Sequence, residues 1–120
     1  MATKTVNTDD GSIIVVDADA PIICDGQSAL DFIMSIGYEH NCNNIAVYKS
    51  AISEDFFKLS TGIAGEVAQK IVNYRYKLAI IGDFSGYTSK PLLDYIYECN
   101  KGGHLYFVSD EREAVRKLRG

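Results

Sequence analysis

Apolar residues recur along this chain in two rhythms. Short continuous runs, Ile13-Ile14-Val15-Val16, Ile45-Ala46-Val47-Tyr48, Leu78-Ala79-Ile80-Ile81 and Leu105-Tyr106-Phe107-Val108, have the length and β-rich content of strands buried on both faces. Between them apolar residues return every three or four positions, the spacing of a helix that packs by one face. Thr3 to Asn7 and Ser12 to Asp17 flank Thr8-Asp9-Asp10-Gly11, whose Asp-Gly pair accepts positive φ, so they predict an antiparallel hairpin. Pro21 closes the second strand, and Asp25 offers a carboxylate to the free N–H groups of a helix from about Gly26 to Tyr38. Ala29, Leu30, Ile33, Met34 and Ile36 form its expected core face.

Asn41 to Asn44 read as loop, and Ser53-Glu54-Asp55 as a short capped turn. Ser60-Thr61-Gly62 opens a helix to about Tyr74, with Ile63, Val67, Ile71 and Tyr74 along one face. Gly82 to Thr88 is a loop, and Pro91 suits the first turn of a helix that runs to about Asn100 and stops at Lys101-Gly102-Gly103. His104 to Val108 is the last strand, and Ser109 or Asp110 caps a terminal helix with Glu113 placed for a capping box. The expected order is β-β-α-β-α-β-α-β-α. It implies a single α/β domain over residues 1–120, with a mixed, mostly parallel sheet of about five strands and right-handed crossovers.

Composition narrows the function classes. The 120 residues are 47% apolar, enough for one core. The formal charge of −4 and pI near 5.0 leave no basic face for phosphate backbones, which argues against nucleic acid as a partner. Cys24, Cys42 and Cys99 lie far apart, odd in number and without C-x-x-C spacing, which fits a reducing cytoplasm. No apolar stretch nears the roughly twenty residues of a membrane span, and the N-terminus has no signal-peptide pattern.

Candidate chemistry concentrates in two loops between Asp55 and Gly102. Ser60, Thr61 and Gly62 stand at a helix start, where free N–H groups and the macrodipole favour an anion, so a phosphate on Ser60 or Thr61 is physically inexpensive there. The plainer reading makes one hydroxyl an N-cap. Gly82-Asp83-Phe84-Ser85-Gly86-Tyr87-Thr88-Ser89-Lys90 has the glycine, hydroxyl and lysine content of an anion cradle at the carboxyl end of a central strand. It matches neither a Walker A loop nor a nucleophile elbow. An Asx turn from Asp83 to Ser85, with Thr88 capping the helix, is the purely structural alternative. His40 and His104 have no obvious nucleophilic partner, and His40 with Cys42 lacks the further ligands a metal needs, so no catalytic set, metal or cofactor is expected. Glu54, Asp55 and Glu66 flank the Ser60 loop, and Phe56, Phe57, Phe84 and Tyr87 could make a binding patch.

The segments Asp55-Phe56-Phe57-Lys58-Leu59-Ser60-Thr61-Gly62, Ala79-Ile80-Ile81-Gly82-Asp83-Phe84-Ser85-Gly86-Tyr87-Thr88-Ser89 and Tyr97-Glu98-Cys99-Asn100-Lys101-Gly102 resemble a bacterial family, domain of unknown function 4180. That likeness covers nearly the whole chain, implies a small cytoplasmic bacterial domain and carries no established activity. More distantly, the element order and helix start look like the anti-sigma-factor-antagonist (STAS) domain. There the matching helix begins D-S-S-G, and a partner kinase phosphorylates its first serine. Ser60 falls on that serine, Thr61 and Gly62 match the next two positions, and Leu59 stands in place of the aspartate.

The reading that results is a non-enzymatic, STAS-like regulatory domain. Its partner would be a kinase or regulator protein, its switch Ser60 or Thr61, and its binding edge Gly62, Asp83, Phe84, Ser85, Tyr87, Thr88, Ser89 and Lys90. The alternative is a small-anion-binding protein or enzyme using the Asp83–Lys90 loop, with His40 or His104 supplied by the second chain of a homodimer.

Overall fold

The apolar runs and the opening hairpin assemble into one five-stranded sheet in the computed structural model, which describes residues 1–119. Strands β1 (Ala2–Thr8), β2 (Gly11–Asp17), β3 (Asn44–Tyr48), β4 (Lys77–Ile81) and β5 (Leu105–Val108) lie side by side in sequence order. The β1–β2 pair is antiparallel, closing on Thr8↔Gly11, and every later pair is parallel. The helices are α1 (Gly26–His40), α2 (Ile63–Asn73), α3 (Lys90–Lys101) and α4 (Glu111–Arg119). Short 3-10 turns occupy Lys49–Ala51, Glu54–Phe57 and Leu59–Thr61.

Sequential parallel strands joined by right-handed crossovers must put every crossover helix on the same face. Ile14, Val16, Ile45, Val47, Leu78, Ile80, Leu105 and Phe107 accordingly pack on α1, α2 and α3. The alternate residues Ile13, Val15, Ala46, Ala79, Ile81, Tyr106 and Val108 meet Ala114 and Leu118 of α4 on the other face. Each parallel strand is thus covered on both sides, which is why it reads as an unbroken apolar run. The same winding places the carboxyl ends of β3 and β4 next to each other, so the loops that leave them emerge side by side. Because the parallel strands never reverse their order, no crevice of the kind found at a topological switch point opens between them. Any site at this edge is built by the loops.

Local chemistry sets the element ends. The Asp25 carboxylate accepts from the Ser28 N–H at 2.7 Å while the Ser28 hydroxyl accepts from the Asp25 N–H at 3.0 Å, a reciprocal cap on α1. Gly37 lets α1 approach the Tyr76 ring so closely that a Cβ there would lie 2.6 Å from Cε2. Asp110 caps α4 by accepting from the Glu113 N–H at 2.8 Å, and Glu113 reaches back to the Ser109 N–H at 3.1 Å. The outer edge of β5 is closed by Asn100, whose side chain accepts from the Phe107 N–H at 2.8 Å and donates to the Phe107 carbonyl at 3.2 Å.

Four sequence expectations need correction. Met34, assigned to the core, is 44% exposed, because Phe32 takes its place on the packed face. Tyr74 lies past the end of α2 and is also exposed. α2 begins at Ile63, directly after Ser60-Thr61-Gly62, but its N-cap is Gly62 at φ +79°, a left-handed conformation, and not the Ser60 or Thr61 hydroxyl, because Leu59–Thr61 forms a separate 3-10 turn. Ser89, not Thr88, caps α3, its hydroxyl accepting from the Leu92 N–H.

Candidate functional site

The two loops that sequence reasoning singled out do meet. Phe57, Leu59 and Ser60 from the first loop, Gly86, Tyr87, Thr88 and Ser89 from the second, and Pro91 and Leu92 from α3 line an open cleft of about 510 Å³. Ser60 is solvent-exposed on its wall.

The floor of this edge is aromatic. Phe57 and Tyr87 stack with ring centroids 5.1 Å apart at 20°, and Phe84 lies 5.9 Å from Phe57 and 6.4 Å from Tyr87. Phe107 of β5 anchors the group from below, 5.5 Å from Phe84 in an edge-on arrangement. Phe56 and Phe57 are both buried in the core, at 0% and 4% exposure, which corrects their assignment to a surface patch and leaves Phe84 and Tyr87 as its half-buried members.

Lys49, the first residue beyond β3, threads into this cluster. Its ammonium lies 5.1 Å from both the Phe57 and Tyr87 ring centroids and 2.7 Å from Glu54 Oε1. The Tyr87 hydroxyl donates to the same carboxylate at 3.1 Å. One carboxylate therefore joins a residue of the first loop to the second loop and to the end of β3. The Lys49 bond, opposed by partial burial, holds the Glu54 carboxyl below its ordinary range. Burial works to lower the Lys49 ammonium, but the bonds to Glu54 and Tyr87 outweigh it and keep it above its usual value. A lysine fixed in its charged form is a structural clamp and a poor nucleophile. Gly82, opposite, is kept free of a side chain by Lys49, whose Cβ would stand 2.8 Å from one.

Most of the expected binding hydroxyls are engaged inside their own loops. The single Thr61 hydroxyl proton lies between the carbonyls of Asp55 and Lys58, each 2.8 Å from the oxygen, which also accepts from the Ile63 N–H at 3.3 Å. It is the hydroxyl that shapes the turn, whereas Ser60 faces solvent. Asp83 Oδ1 accepts from the Ser85 N–H at 2.9 Å and from the Ser85 hydroxyl at 2.6 Å, an Asx turn whose bonds also hold the Asp83 carboxyl below its usual range. Lys90 runs along α3 to Asp94 at 2.8 Å. Gly62 serves the turn into α2, and Glu66 reaches the Gly26 N–H at 3.3 Å.

His40, at the end of α1, and His104, just before β5, stand at the opposite end of the parallel strands. Within one chain neither reaches the loops. Among the described residues no group of three His, Cys, Asp or Glu side chains is placed to hold a metal ion. Sequence reasoning does not single out Lys49 or Leu92, and it assigns Leu59 and Pro91 no part in the site. For Lys49 a signal existed, since the first residue past the carboxyl end of a buried parallel strand faces the edge where loops gather.

A family model described as Domain of unknown function (DUF4180) matches residues 8–118. The chain belongs to this family. Both loops, the clamp of Lys49 and Glu54, and the aromatic floor lie inside the matched span of DUF4180. No curated protein and no solved structure matches the chain. Among the described residues no helix is long and apolar enough to cross a membrane.

Proposed function

We propose that this DUF4180 chain is a non-enzymatic binding domain of STAS-like, regulatory type, and that the cleft between its two loops receives a protein partner. One observation carries the reading. Phe57, Leu59, Tyr87, Pro91 and Leu92 line the cleft together with Glu54, Lys58, Ser60, Gly86, Thr88 and Ser89, while Thr61, Asp83, Ser85 and Lys90 lie outside its lining and are engaged in local bonds. What such a cleft offers is apolar area from the half-buried Leu59 and Tyr87 and the exposed Pro91, seated over the buried Phe57 and Leu92 and framed by charged and hydroxyl side chains, a mixed surface of the kind protein contacts use. The aromatic floor is held in advance by Phe107 and by the Lys49–Glu54–Tyr87 clamp, so a partner meets a surface already ordered.

Ser60 gives this edge a switch. It lies on the same wall as Lys58 and Glu54, and a phosphate there adds roughly −2 charges beside an apolar docking surface. The small-anion or enzymatic alternative draws no support from Lys90, Asp83 or Ser85, each engaged in a local bond. The test is affinity capture from lysate of the native host with wild type, Tyr87→Ala and Ser60→Asp, read by quantitative mass spectrometry. A partner held by wild type and lost by both variants supports the reading. Equal recovery by all three, or saturable binding of inorganic phosphate that Tyr87→Ala leaves unchanged, defeats it.

A further inference from the structure

The two edges of the sheet are finished differently. On β5 the Asn100 amide occupies the Phe107 N–H and carbonyl in place of a neighbouring strand. β1 has no such cover among the described residues. All seven of its residues pair one to one with β2, from Ala2↔Asp17 to Thr8↔Gly11, without a bulge or a proline. Alternate residues of this strand therefore turn N–H and carbonyl groups outward, and a regular free edge is a template for another strand. Its single charge, Lys4, is committed to Glu111 at 2.6 Å on the α4 face and does not guard the edge.

We propose that β1 pairs antiparallel with β1 of a second copy of this chain, about a two-fold axis at Thr5, so that the sheet runs on through a homodimer. Thr5 is the midpoint of Ala2–Thr8, so this register pairs the whole strand. It sets Thr3 opposite Asn7, Lys4 opposite Val6, Ala2 opposite Thr8 and Thr5 opposite itself. Charge favours it. A two-fold one residue earlier would oppose Lys4 to Lys4, which is destabilising, whereas here no like charges face each other and each ammonium keeps its own Glu111. Such an interface is self-complementary, as a two-fold dimer requires. The strand pair alone falls short of the roughly 1,200–2,000 Å² of a stable interface. A groove of about 340 Å³ at the start of the strand, lined by Met1, Ile22, Phe32 and Ile36, supplies further apolar area on the α1 face.

The test is sedimentation of the full chain over a range of concentrations, with Thr5→Lys and, in a Cys24→Ser background, Thr5→Cys. Thr5 is exposed, so the lysine variant folds, and an unchanged circular dichroism spectrum verifies this. Wild type sediments at twice the chain mass, and T5K at the chain mass, because the axis brings two ammonium groups together. On mild oxidation T5C forms a dimer linked through residue 5, while Thr3→Cys, which faces Asn7 across the axis, does not. A wild type that stays at the chain mass throughout, or a dimer that T5K leaves intact and T5C fails to cross-link, overturns the proposal.

Discussion

Gly37→Ala separates tertiary packing from helix propensity, because the two predict opposite signs. In an exposed helix interior the change from glycine to alanine stabilises by about 1 kcal/mol. Here an ideal Cβ would fall 2.6 Å from Cε2 and 2.7 Å from Cζ of Tyr76, with the phenol hydroxyl closer still. Carbon atoms in contact rest about 3.5–4.0 Å apart, so the ring must retreat by about 1 Å. It has little room, since Tyr76 is 8% exposed and its N–H is tied to the Ile71 carbonyl at 2.9 Å. Overpacking of this kind costs about 1–3 kcal/mol or more. With two ring carbons and the phenol oxygen in conflict, about 3 kcal/mol is the appropriate figure, and subtracting the propensity gain leaves a net loss of about 2 kcal/mol. For a domain of this size that is a fall in Tm of about 8 °C. Thermal and urea unfolding followed by circular dichroism measure it, together with Tyr76→Ala and the double variant. Removing the ring removes the clash, so the double variant is more stable than the sum of the two single losses predicts, by about 2–3 kcal/mol. A rise in Tm for G37A, or strict additivity with Y76A, refutes the packing argument.

Asn100→Ala opens the β5 edge by removing two hydrogen bonds to Phe107, a loss of about 1–3 kcal/mol in urea unfolding, with faster aggregation on heating. Thr61→Val and Ser60→Ala should behave differently although the residues are neighbours. T61V loses the bonds that shape the turn before α2, about 1 kcal/mol, whereas S60A stays within about 0.5 kcal/mol of wild type by the same unfolding assay. On the α4 face the hydrogen bond from the Tyr48 hydroxyl to Glu111 raises the phenol from 10.0 to about 12. Its folded value lies above its unfolded one, so the associated stability is complete below pH 10.0 and is lost as pH climbs through about 12. Comparing wild type with Tyr48→Phe by phenolate absorbance and alkaline unfolding checks this, and a Tyr48 that ionises with the exposed tyrosines would count against the bond.

What could be read from sequence was what leaves a local mark. Burial on both faces writes β3, β4 and β5 as unbroken apolar runs, the Asp9-Asp10-Gly11 turn writes the hairpin, and Asp25 and Asp110 write two helix starts. The cap of α2 differs from expectation because Thr61 and Gly62 form a good turn as readily as a good cap. Burial of Phe56 and Phe57, a few residues earlier, goes with the 3-10 path that the chain follows here. Met34 was misread because a helical face is a range of angles, and only the position of the sheet says where it ends.

The cleft itself belongs to the tertiary structure. That the Ser60 and Asp83 to Ser89 loops are neighbours follows from β3 and β4 pairing directly, a contact between residues far apart in the chain for which a local pattern carries no record. The same holds for the clamp, in which Lys49, Glu54 and Tyr87 are ordinary residues until the strand order brings one ammonium, one carboxylate and one phenol within bonding distance. By itself the sequence marked the buried strands, the opening hairpin and the Asp25 and Asp110 helix starts, because those choices are made over a few neighbouring residues. Which loops share an edge, which hydroxyls stay free and which strand keeps an open side are properties of packing, where distance in space replaces distance along the chain.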